Sequence, residues 1–515
     1  MSSLPVAPSV GSSRPARVLT VLSLVCLAAI TALAAALRLH ALGAKSFWMD
    51  EGVTAACMRL DWYNLLRLLW RREANMALYY LLLRGWLHFG STEVWYRGLS
   101  VLAAVATVPV LYVLGKRLFG VTVGLTAALL LAVNAYHVRY AQDARSYSLV
   151  VFLVTLATCF FTQAMQSGQR RHWKWYVAAS ALAIYTHFFA VLAIVAHWVS
   201  LRAWSKLPAA EGSQVEGNGA NHTEEVKRAL KQIGLWTLPV WIFIATTGAG
   251  TLRWIHRPGP HELYEFLEQF AGNAGSRLCG LYLACGALAA VAAVRTWRRL
   301  GCSRESWGYV LVWGWAIVPL LVTLFVTLAR PVFLPRYLII ILPAFLLLAA
   351  VGLASLRPRW LLLPVLGAIV WFALGGVRSY YGMDFDIGRQ DYRQASTYVL
   401  AHSDTGDAIL FYPSYGRCAY QYYEDHFPGT NARPMIVAPG HGERMTWRDF
   451  MGKVSPQVLD QVTREYRRVW VVLAHNPGPD EAPLSQRIKA TVAARYHLVE
   501  IHEYAGVDVY LYAPE

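Results

Sequence analysis

The sequence predicts a polytopic α-helical membrane protein that continues into a C-terminal soluble α/β domain. Ten runs of 17 residues or more contain no Asp, Glu, Lys or Arg, and a helix of about 20 such residues crosses a hydrocarbon core. The composition agrees, with 56% hydrophobic residues, 15% charged residues and a mean hydropathy of +0.36. From Arg378 onward, short polar and apolar segments alternate. A large soluble protein would not need so many uncharged segments of this length.

Short basic loops separate the uncharged runs and indicate an orientation. The runs are Val18–Leu37, Gly98–Gly115, Leu118–Tyr136, Ser146–Gln166, Trp175–Leu201, Gln232–Leu252, Leu278–Val294, Ser306–Ala329, Tyr337–Leu356 and Trp360–Val377. Because cytoplasmic loops are enriched in Lys and Arg, we expect residues 1–17 and most of the basic loops on the cytoplasmic side. This orientation treats Trp175–Leu201 as a hairpin that crosses twice, since a single crossing would place the later basic loops outside. About eleven transmembrane helices then fill residues 18–377, and residues 378–515 lie on the extracytoplasmic side.

Net charge and cysteine usage exclude several classes of function. The net charge is +16, but the basic residues cluster in loops between spans, so we expect membrane lipids and no nucleic acid as partners. The seven cysteines are scattered without a CxxC pair, which indicates buried small side chains and neither a disulfide framework nor a zinc site. The first run is about 20 residues long, so we interpret it as an uncleaved span and not as a signal peptide.

The segment 378–515 has the pattern of a small α/β domain. Runs that predict strands are Ala408–Tyr412, Met435–Val437, Val469–Leu473 and Val507–Tyr512. Helical patterns between them are Gln390–Ala401, Pro456–Arg467 and Ser485–Ala494. Such alternation is typical of α/β domains, and no glycine-rich phosphate loop occurs in it. Within the membrane domain, the polar segment Glu211–Glu225 predicts a mobile loop on the inner side.

Two adjacent carboxylates, Asp50 and Glu51, follow the first predicted span. The span places them at a membrane surface, and a carboxylate drawn to the bilayer centre would cost roughly 2.5–3.5 kcal/mol. Both side chains must therefore face water, protein or a polar substrate. A pair of acids at this position predicts a membrane enzyme with a catalytic carboxylate.

Arginines accompany acids in two later outer segments. The segment Asn134–Tyr147 contains Arg139 and Asp143, which a continuous helix would place one turn apart and able to pair, and Arg145, which would point elsewhere. Arg336 stands at the Pro-broken entrance of a later span. Guanidinium groups beside acids at one membrane face suit a substrate that carries phosphate and hydroxyl groups. The alternative is that these residues anchor helices at the interface, with tyrosines in the aromatic belt.

Five motifs follow one another along residues 18–377. They are Trp48-Met49-Asp50-Glu51, Ala77-Leu78-Tyr79-Tyr80, Tyr140-Ala141-Gln142-Asp143-Ala144-Arg145-Ser146-Tyr147, Tyr185-Thr186-His187-Phe188 and Pro335-Arg336-Tyr337. In order and spacing they resemble glycosyltransferase family 39, the bacterial branch of the GT-C fold related to protein O-mannosyltransferases and the lipid A aminoarabinose transferase. The resemblance implies a GT-C-like fold and transfer of a sugar from a polyprenyl-phosphate carrier to a glycan, lipid or protein acceptor. It also implies the outer face of a bacterial plasma membrane as the place of reaction.

The resemblance further implies roles for single residues. Asp50 would be the catalytic base, and Glu51 would be a supporting or acceptor-orienting group. The substrate-binding residues would be Tyr79, Tyr80, Arg139, Asp143, Arg145, His187, Arg336 and Tyr337, with Pro335-Arg336-Tyr337 near the carrier phosphate. His187 has an equally good interpretation as an ordinary hydrogen-bonded residue of an apolar hairpin.

The first loop departs from the family pattern. Asn75-Met76-Ala77 stands where relatives have His or Lys followed by Pro-Pro. A cation that could neutralise phosphate is therefore missing there, and Arg71, Arg72 or Arg84 could compensate.

No cofactor is predicted. Asp50, Glu51, Asp143 and His187 offer oxygen and nitrogen ligands for a divalent metal, but the sequence contains no HExxH or equivalent spacing. We therefore expect no metal. Loss of sugar transfer on chelation, with recovery on addition of a divalent ion, would contradict that expectation.

The chemistry follows from these groups. Arginines stabilise a departing phosphate without titrating, and a carboxylate base removes the proton of the acceptor hydroxyl. A single displacement of this kind inverts the anomeric carbon. An alternative function is a lipid or ion transporter with a charged outer-face pathway, which predicts charges near mid-membrane in paired repeats. Here the charges gather at one face and no repeat is visible; a scaffold, the third alternative, would not need about eleven spans.

Overall fold

The computed structural model describes residues 14–204, 218–247, 255, 257–382, 389–429, 432–438, 446, 465–475 and 481–514. Its helices are α1 (Arg14–Leu39), α2 (Met49–Arg59), α3 (Trp62–Leu68), α4 (Ala77–Trp86), α5 (Glu93–Phe119), α6 (Val121–Val133), α7 (Ala135–Ala141), α8 (Tyr147–Ser167), α9 (Arg170–Thr186), α10 (Ala190–Trp204), α11 (Asn218–Trp236), α12 (Leu238–Thr247), α13 (Pro260–Ala271), α14 (Ser276–Leu300), α15 (Arg304–Ala329), α16 (Leu342–Ala354), α17 (Leu362–Gly382), α18 (Tyr392–His402), α19 (Gly416–His426) and α20 (Glu481–Ala493). A π-helix covers Leu69–Glu73, and 3₁₀ helices cover Ala74–Met76, Leu87–Phe89, Pro335–Ile341 and Arg359–Leu361.

Most of the described chain is a bundle of apolar helices. Within the described residues, seven helices are long and apolar enough to cross a membrane, and nine if the bent pairs α6–α7 and α11–α12 each count as one span. The protein is thus an integral membrane protein by its helices. The expected count of eleven is not confirmed. It requires α9 and α10 to cross separately, but with 17 and 15 residues they are roughly 25 Å and 22 Å long at 1.5 Å per residue.

The bend between α6 and α7 interrupts a candidate membrane span. The two helices meet at 61°, and Asn134 at the break accepts a hydrogen bond from the His137 N–H at 2.9 Å. The break frees carbonyls at the end of α6. The fully buried Arg38 of α1 donates to two of them, those of Leu131 at 2.9 Å and Ala132 at 3.0 Å. Backbone groups freed inside a membrane protein need such internal partners.

The C-terminal region forms a mixed five-stranded sheet in the order β2-β1-β3-β5-β4. The strands are β1 (Asp407–Tyr412), β2 (Met435–Ala438), β3 (Arg468–Ala474), β4 (His497–Tyr504) and β5 (Val507–Ala513). Strand β1 is parallel to β2 and β3, and β5 is antiparallel to β3 and β4. Four of these strands contain the four runs expected from the sequence. The fifth, β4, was not expected, because it is a largely exposed edge strand without a continuous apolar run.

Alternate residues of each central strand pack on opposite sides of the sheet. Ile409 and Phe411 face the core that includes α18 and α19, whereas Ala408 and Leu410 face α20. Burial on both faces explains why β1 is continuously apolar. Helices α18 and α20 overlap the expected ones, and α19 was not expected. The expected helix Pro456–Arg467 lies mostly outside the described residues, as does the first half of the expected loop Glu211–Glu225, whose second half is part of α11.

Helix α19 joins the C-terminal region to the membrane bundle by packing on α2. Gly52 lies so close to α19 that a Cβ at this position would be 2.9 Å from the Cβ of Ala419. At the other end of α2, Arg59 donates to the Gln421 carbonyl at 2.9 Å and pairs with Asp425. The helix that carries Asp50 is therefore held between the bundle and the sheet domain.

Candidate active site

The two adjacent acids lie in the first turn of α2 but face different surroundings. Trp48 is the N-cap of this helix, and acids in a first turn interact favourably with the helix dipole. The Glu51 side chain is fully buried, whereas the Asp50 side chain remains 14% exposed. Only Asp50 can therefore meet a substrate.

Glu51 forms a buried ion pair with Arg97 of α5. Arg97 donates from Nε to Oε1 at 2.8 Å and from Nη2 to Oε2 at 2.7 Å. Its remaining N–H groups donate to the backbone carbonyls of Leu42, Lys45 and Ser46 at 2.8–3.2 Å. One guanidinium thus fixes both the first turn of α2 and the loop that leads into it.

Glu51 also holds the segment between α7 and α8, because its Oε1 accepts the Ala144 N–H at 2.9 Å. Both carboxylate oxygens are occupied and neither reaches solvent. Of the two roles that the sequence analysis left open for Glu51, burial and full hydrogen bonding favour the supporting one over the orientation of an acceptor.

Asp50 lies between two arginines from different parts of the chain. Its Oδ2 is 3.8 Å from Nε of Arg145 and 3.8 Å from Nη1 of Arg336. These distances are those of ion pairs and exceed the 2.7–3.2 Å typical of N–H···O hydrogen bonds. The three side chains are 12–21% exposed. The structure thus brings together the acid and the two cations that the sequence placed at one membrane face.

Two buried tyrosines of α4 orient Arg145. Arg145 Nη1 donates to the Tyr80 hydroxyl at 3.1 Å, and that hydroxyl donates to Glu73 Oε2 at 3.2 Å. The Tyr79 hydroxyl lies 3.1 Å from Ser100 Oγ, which donates to the Arg145 carbonyl at 3.1 Å. The sequence analysis missed Glu73. The sequence feature that could have identified Glu73 is its position seven residues, or about two helical turns, before Tyr80.

His187 lies between α9 and α10, within the same group of residues. Its ring centroid is 5.0 Å from that of Tyr337, and its Nδ1 accepts the Phe189 N–H at 3.3 Å. Because Nδ1 accepts a backbone N–H, it carries no proton, and the ring holds its proton at Nε2. This buried nitrogen has no hydrogen-bond partner among the described residues.

Asn75 positions the loop that carries His187. Its Oδ1 accepts the Phe188 N–H at 2.9 Å. The residue that departs from the family pattern thus binds backbone. Of the arginines considered as substitutes, Arg84 donates to the Leu60 carbonyl at 2.6 Å, and Arg71 and Arg72 are exposed.

Asp143 does not pair with Arg139 as the sequence predicted. Helix α7 ends at Ala141, so the geometry of one helical turn does not extend to Asp143. Asp143 instead accepts the Trp48 Nε1–H at 3.0 Å and pairs with Arg389 at 3.9 Å. The Arg139 guanidinium lies 5.7 Å from the centroid of the Tyr140 ring.

Burial raises the pKa of Asp143 to about 6, and the negative charge of Glu51 adds to this effect. The cation of Arg389 and the hydrogen bond from Trp48 act in the opposite direction. The carboxyl is thus poised between its two protonation states near neutral pH.

Two residues at the start of the C-terminal region reach the site without having been expected. The Arg389 side chain is 2% exposed, and Gln390 Oε1 accepts the Met49 N–H at 3.3 Å. No local pattern marks them, because their contacts depend on how the sheet domain docks.

The expected absence of a bound metal stays a prediction. Among the described residues, no group of three or more His, Cys, Asp or Glu side chains could hold a metal ion. The acids considered as ligands have other partners: Glu51 binds Arg97, and Asp143 binds Trp48 and Arg389.

A helical membrane bundle with acids and arginines at its helix ends, joined to a small sheet domain, defines a class of membrane enzyme with a polar substrate. The family model of dolichyl-phosphate-mannose-protein mannosyltransferases matches residues 74–207. The matched part includes Tyr79, Tyr80, Asp143, Arg145 and His187. No curated protein shows significant sequence similarity to the chain.

Solved structures share the fold at low sequence identity. The crystal structure of ArnT from Cupriavidus metallidurans bound to undecaprenyl phosphate has a TM-score of 0.61 at 13% identity, covering 94% of this chain and 97% of that one. The oligosaccharyltransferase of Archaeoglobus fulgidus, tethered with an acceptor peptide, has a TM-score of 0.54 at 10% identity, covering 96% and 74%. Over residues 74–207 the chain is thus similar to a family of mannosyltransferases, and it shares its overall fold with ArnT and with an oligosaccharyltransferase.

Replacing Glu51 by Gln should strongly destabilise the protein. The variant keeps the shape of the side chain but leaves the charge of Arg97 buried without a counter-charge, which typically costs about 3–5 kcal/mol. We expect a clearly lower midpoint of thermal unfolding in detergent. Glu224→Gln is the matched control, because Glu224 forms an exposed pair with Lys227 and should change the midpoint little. Equal midpoints for both variants would contradict the assignment.

Asp143 should make stability depend on pH. Its folded-state pKa of about 6 lies above the ordinary value of 3.8, so its contribution to stability is complete below about pH 4 and is lost as the pH rises through about 6. Asp143→Asn removes this dependence, and its unfolding midpoint should therefore rise relative to wild type between pH 5 and 7.5. Asp404→Asn, at an exposed site, should keep a constant difference from wild type. A constant difference for Asp143→Asn as well would exclude the raised pKa.

Proposed function

We propose that the protein transfers a sugar from a polyprenyl-phosphate carrier to an acceptor hydroxyl, with inversion at the anomeric carbon and with Asp50 as the base. The observation that carries the proposal is the position of the Asp50 carboxylate, 3.8 Å from the guanidinium groups of both Arg145 and Arg336. A base and two fixed cations at one point match the two charge changes of this reaction.

The cations suit a phosphate leaving group. When the bond between the anomeric carbon and the phosphate oxygen breaks, the electron pair stays on the phosphate. Arginines stabilise that negative charge, because a guanidinium group stays protonated. Two structures with this fold support a lipid phosphate as the ligand: ArnT was solved with undecaprenyl phosphate, and the archaeal oligosaccharyltransferase AglB with a dolichol-phosphate. AglB has a TM-score of 0.51 at 9% identity and covers 95% of this chain and 74% of its own.

Asp50 supplies the other half of the reaction. The acceptor oxygen forms the new bond to the anomeric carbon on the side opposite the phosphate, and its proton passes to the Asp50 carboxylate. A positioned carboxylate base typically contributes 10²–10⁴-fold to the rate. Because one displacement occurs, the configuration inverts.

His187 and the tyrosines around it complete the donor pocket. The Nε2–H of His187 is buried without a protein partner among the described residues, and the Tyr337 ring packs beside the imidazole at an angle of 55°. A neutral imidazole N–H is a hydrogen-bond donor that suits a phosphate or sugar oxygen. Tyr79 and Tyr80 act on the substrate indirectly, since they orient Arg145.

The reaction is proposed for the outer face of a bacterial inner membrane. Residues 1–17 would be cytoplasmic, residues 18–377 would form the membrane domain, and residues 378–515 would lie outside. The distribution of basic loops supports this orientation. The acceptor is a glycan, a lipid or a protein of the cell envelope. The transporter alternative has less support, because the charged residues gather at helix ends and no second group of acids and arginines at mid-membrane carries a pathway among the described residues.

Asp50→Asn should abolish sugar transfer in vesicles supplied with carrier-linked sugar, with a loss of at least about 10²-fold, because the amide cannot accept the proton. Asp61→Asn is the matched control. Asp61 lies in the same outer segment and caps α3 with an exposed side chain, so this variant should keep its activity. Full transfer by Asp50→Asn would refute the assignment of the base.

Arg145→Gln and Arg336→Gln should mainly raise the concentration of carrier lipid that half-saturates the enzyme. Each loses charge-assisted hydrogen bonds to the phosphate of roughly 1.5–3 kcal/mol, equivalent to a change of about ten- to hundred-fold. Arg117→Gln serves as the control. Arg117 lies in the last turn of α5, at the end away from Arg97, so the lipid dependence of this variant should not change. If neither variant differed from this control, the phosphate would bind elsewhere.

A further inference from the structure

We infer that Arg389 and Gln390 are positioning residues for Asp50, so that the C-terminal domain completes the active site of the membrane domain. This inference rests on the proposed function, which makes Asp50 the base. It is carried by contacts between the first described residues of the C-terminal domain and the start of α2.

Gln390 takes over a role that the N-cap of α2 leaves open. The first N–H groups of a helix have no partner within the helix, and Ser, Thr, Asp or Asn at the N-cap usually accepts from one of them. Trp48 occupies the N-cap, and its side chain makes no capping hydrogen bond. The Gln390 side chain accepts the Met49 N–H at 3.3 Å instead. The residue directly before Asp50 is thus held by the C-terminal domain.

Arg389 fixes the same turn from a second direction. Its guanidinium lies 5.2 Å from the centroid of the Trp48 ring, and its Nη2 is 3.9 Å from Asp143 Oδ2. Trp48 in turn donates to Asp143 Oδ1 at 3.0 Å. Arg389, Asp143 and Trp48 therefore form a closed set of contacts. Because Asp143 and Arg389 are buried and Trp48 is half-buried, we expect a change in one of them to move the turn that carries Asp50.

The docking of the domain does not depend on these two residues. Arg393 pairs with Glu93 and donates to the Gly43 carbonyl at 2.8 Å. The Phe47 N–H donates to the Tyr423 hydroxyl at 2.7 Å, and Arg59 anchors the far end of α2. Variants of Arg389 or Gln390 can therefore leave the domain attached while they remove the contacts at Trp48 and Met49, where the first turn of α2 begins. This separation makes the inference testable in the full-length protein.

The expected effect is a loss of rate without a loss of donor affinity. A misplacement of a reacting group by about 1 Å can cost about 10²-fold in rate. The arginines that face the phosphate are positioned by other contacts, such as the one from Arg145 to Tyr80. A positioning role for Arg389 thus lowers kcat and leaves KM for the carrier lipid unchanged, which is the signature of an interaction made in the transition state only.

The test compares Arg389→Met and Gln390→Met with Arg59→Met, which removes a docking contact of the same helix far from Asp50. Two quantities are measured in the full-length protein: kcat and KM for transfer, and hydrogen–deuterium exchange of the backbone amides of residues 49–52. We expect faster exchange and a kcat lower by about 10- to 100-fold in the first two variants, with KM within about twofold. Arg59→Met should match wild type in both quantities. Arg389→Lys, which keeps the cation beside Asp143, should recover most of the lost rate.

Each outcome decides the inference. Unchanged exchange in Arg389→Met and Gln390→Met overturns it, and so does a raised KM at unchanged kcat, which would make Arg389 a substrate contact. If Arg59→Met had the same effects, the contacts of Arg389 and Gln390 would serve only to dock the domain, and the inference would also be overturned. The exchange measurement does not depend on the reaction. Faster exchange in a protein whose Asp50→Asn variant keeps its activity would uphold the positioning of α2 while refuting the proposed function.

Discussion

The buried ion pair between Glu51 and Arg97 is the constraint on which the site depends. Two charges without solvent must stay together, because separating them leaves one buried and unpaired. This pair joins three segments: α5 provides Arg97, α2 provides Glu51, and the segment between α7 and α8 donates the Ala144 N–H. The neighbouring Asp50 therefore has a fixed backbone, while its own side chain stays at the edge of solvent. Adjacent acids thus differ in surroundings: Glu51 is buried in an ion pair, and Asp50 keeps access to solvent.

The side chains around Asp50 come from places where membrane helices are interrupted. Arg145 follows the end of α7, His187 separates α9 from α10, and Arg336 lies in the 3₁₀ helix Pro335–Ile341. Backbone groups that such interruptions free in a membrane protein need partners within the protein. Partners such as Asn75 for the loop around His187 satisfy the freed backbone groups. The interruptions thus bring polar side chains together around Asp50.

The features that could be predicted from the sequence are those that depend on local residue patterns. Uncharged runs predict the spans, and the grouping of Asp50, Arg145 and Arg336 follows from their common place at span ends. Local patterns do not separate Asp50 from Glu51, which only the family resemblance assigned to different roles; adjacent helical residues point about 100° apart, and the structure shows which partners each acid meets. The Arg139 pairing fails for a local reason, the end of α7 at Ala141.

Contacts distant along the chain lie beyond sequence patterns altogether. Arg389 and Gln390 reach the site because α19 packs on α2 at Gly52, where no side chain would fit. The Met49 amide and its Gln390 partner are 341 positions apart in the chain. Ribosomal synthesis thus produces Asp50 hundreds of residues before Arg389 and Gln390. On the positioning role proposed for these two residues, the centre around Asp50 stays incomplete in the nascent chain until the sheet domain has been synthesised and has docked on α2.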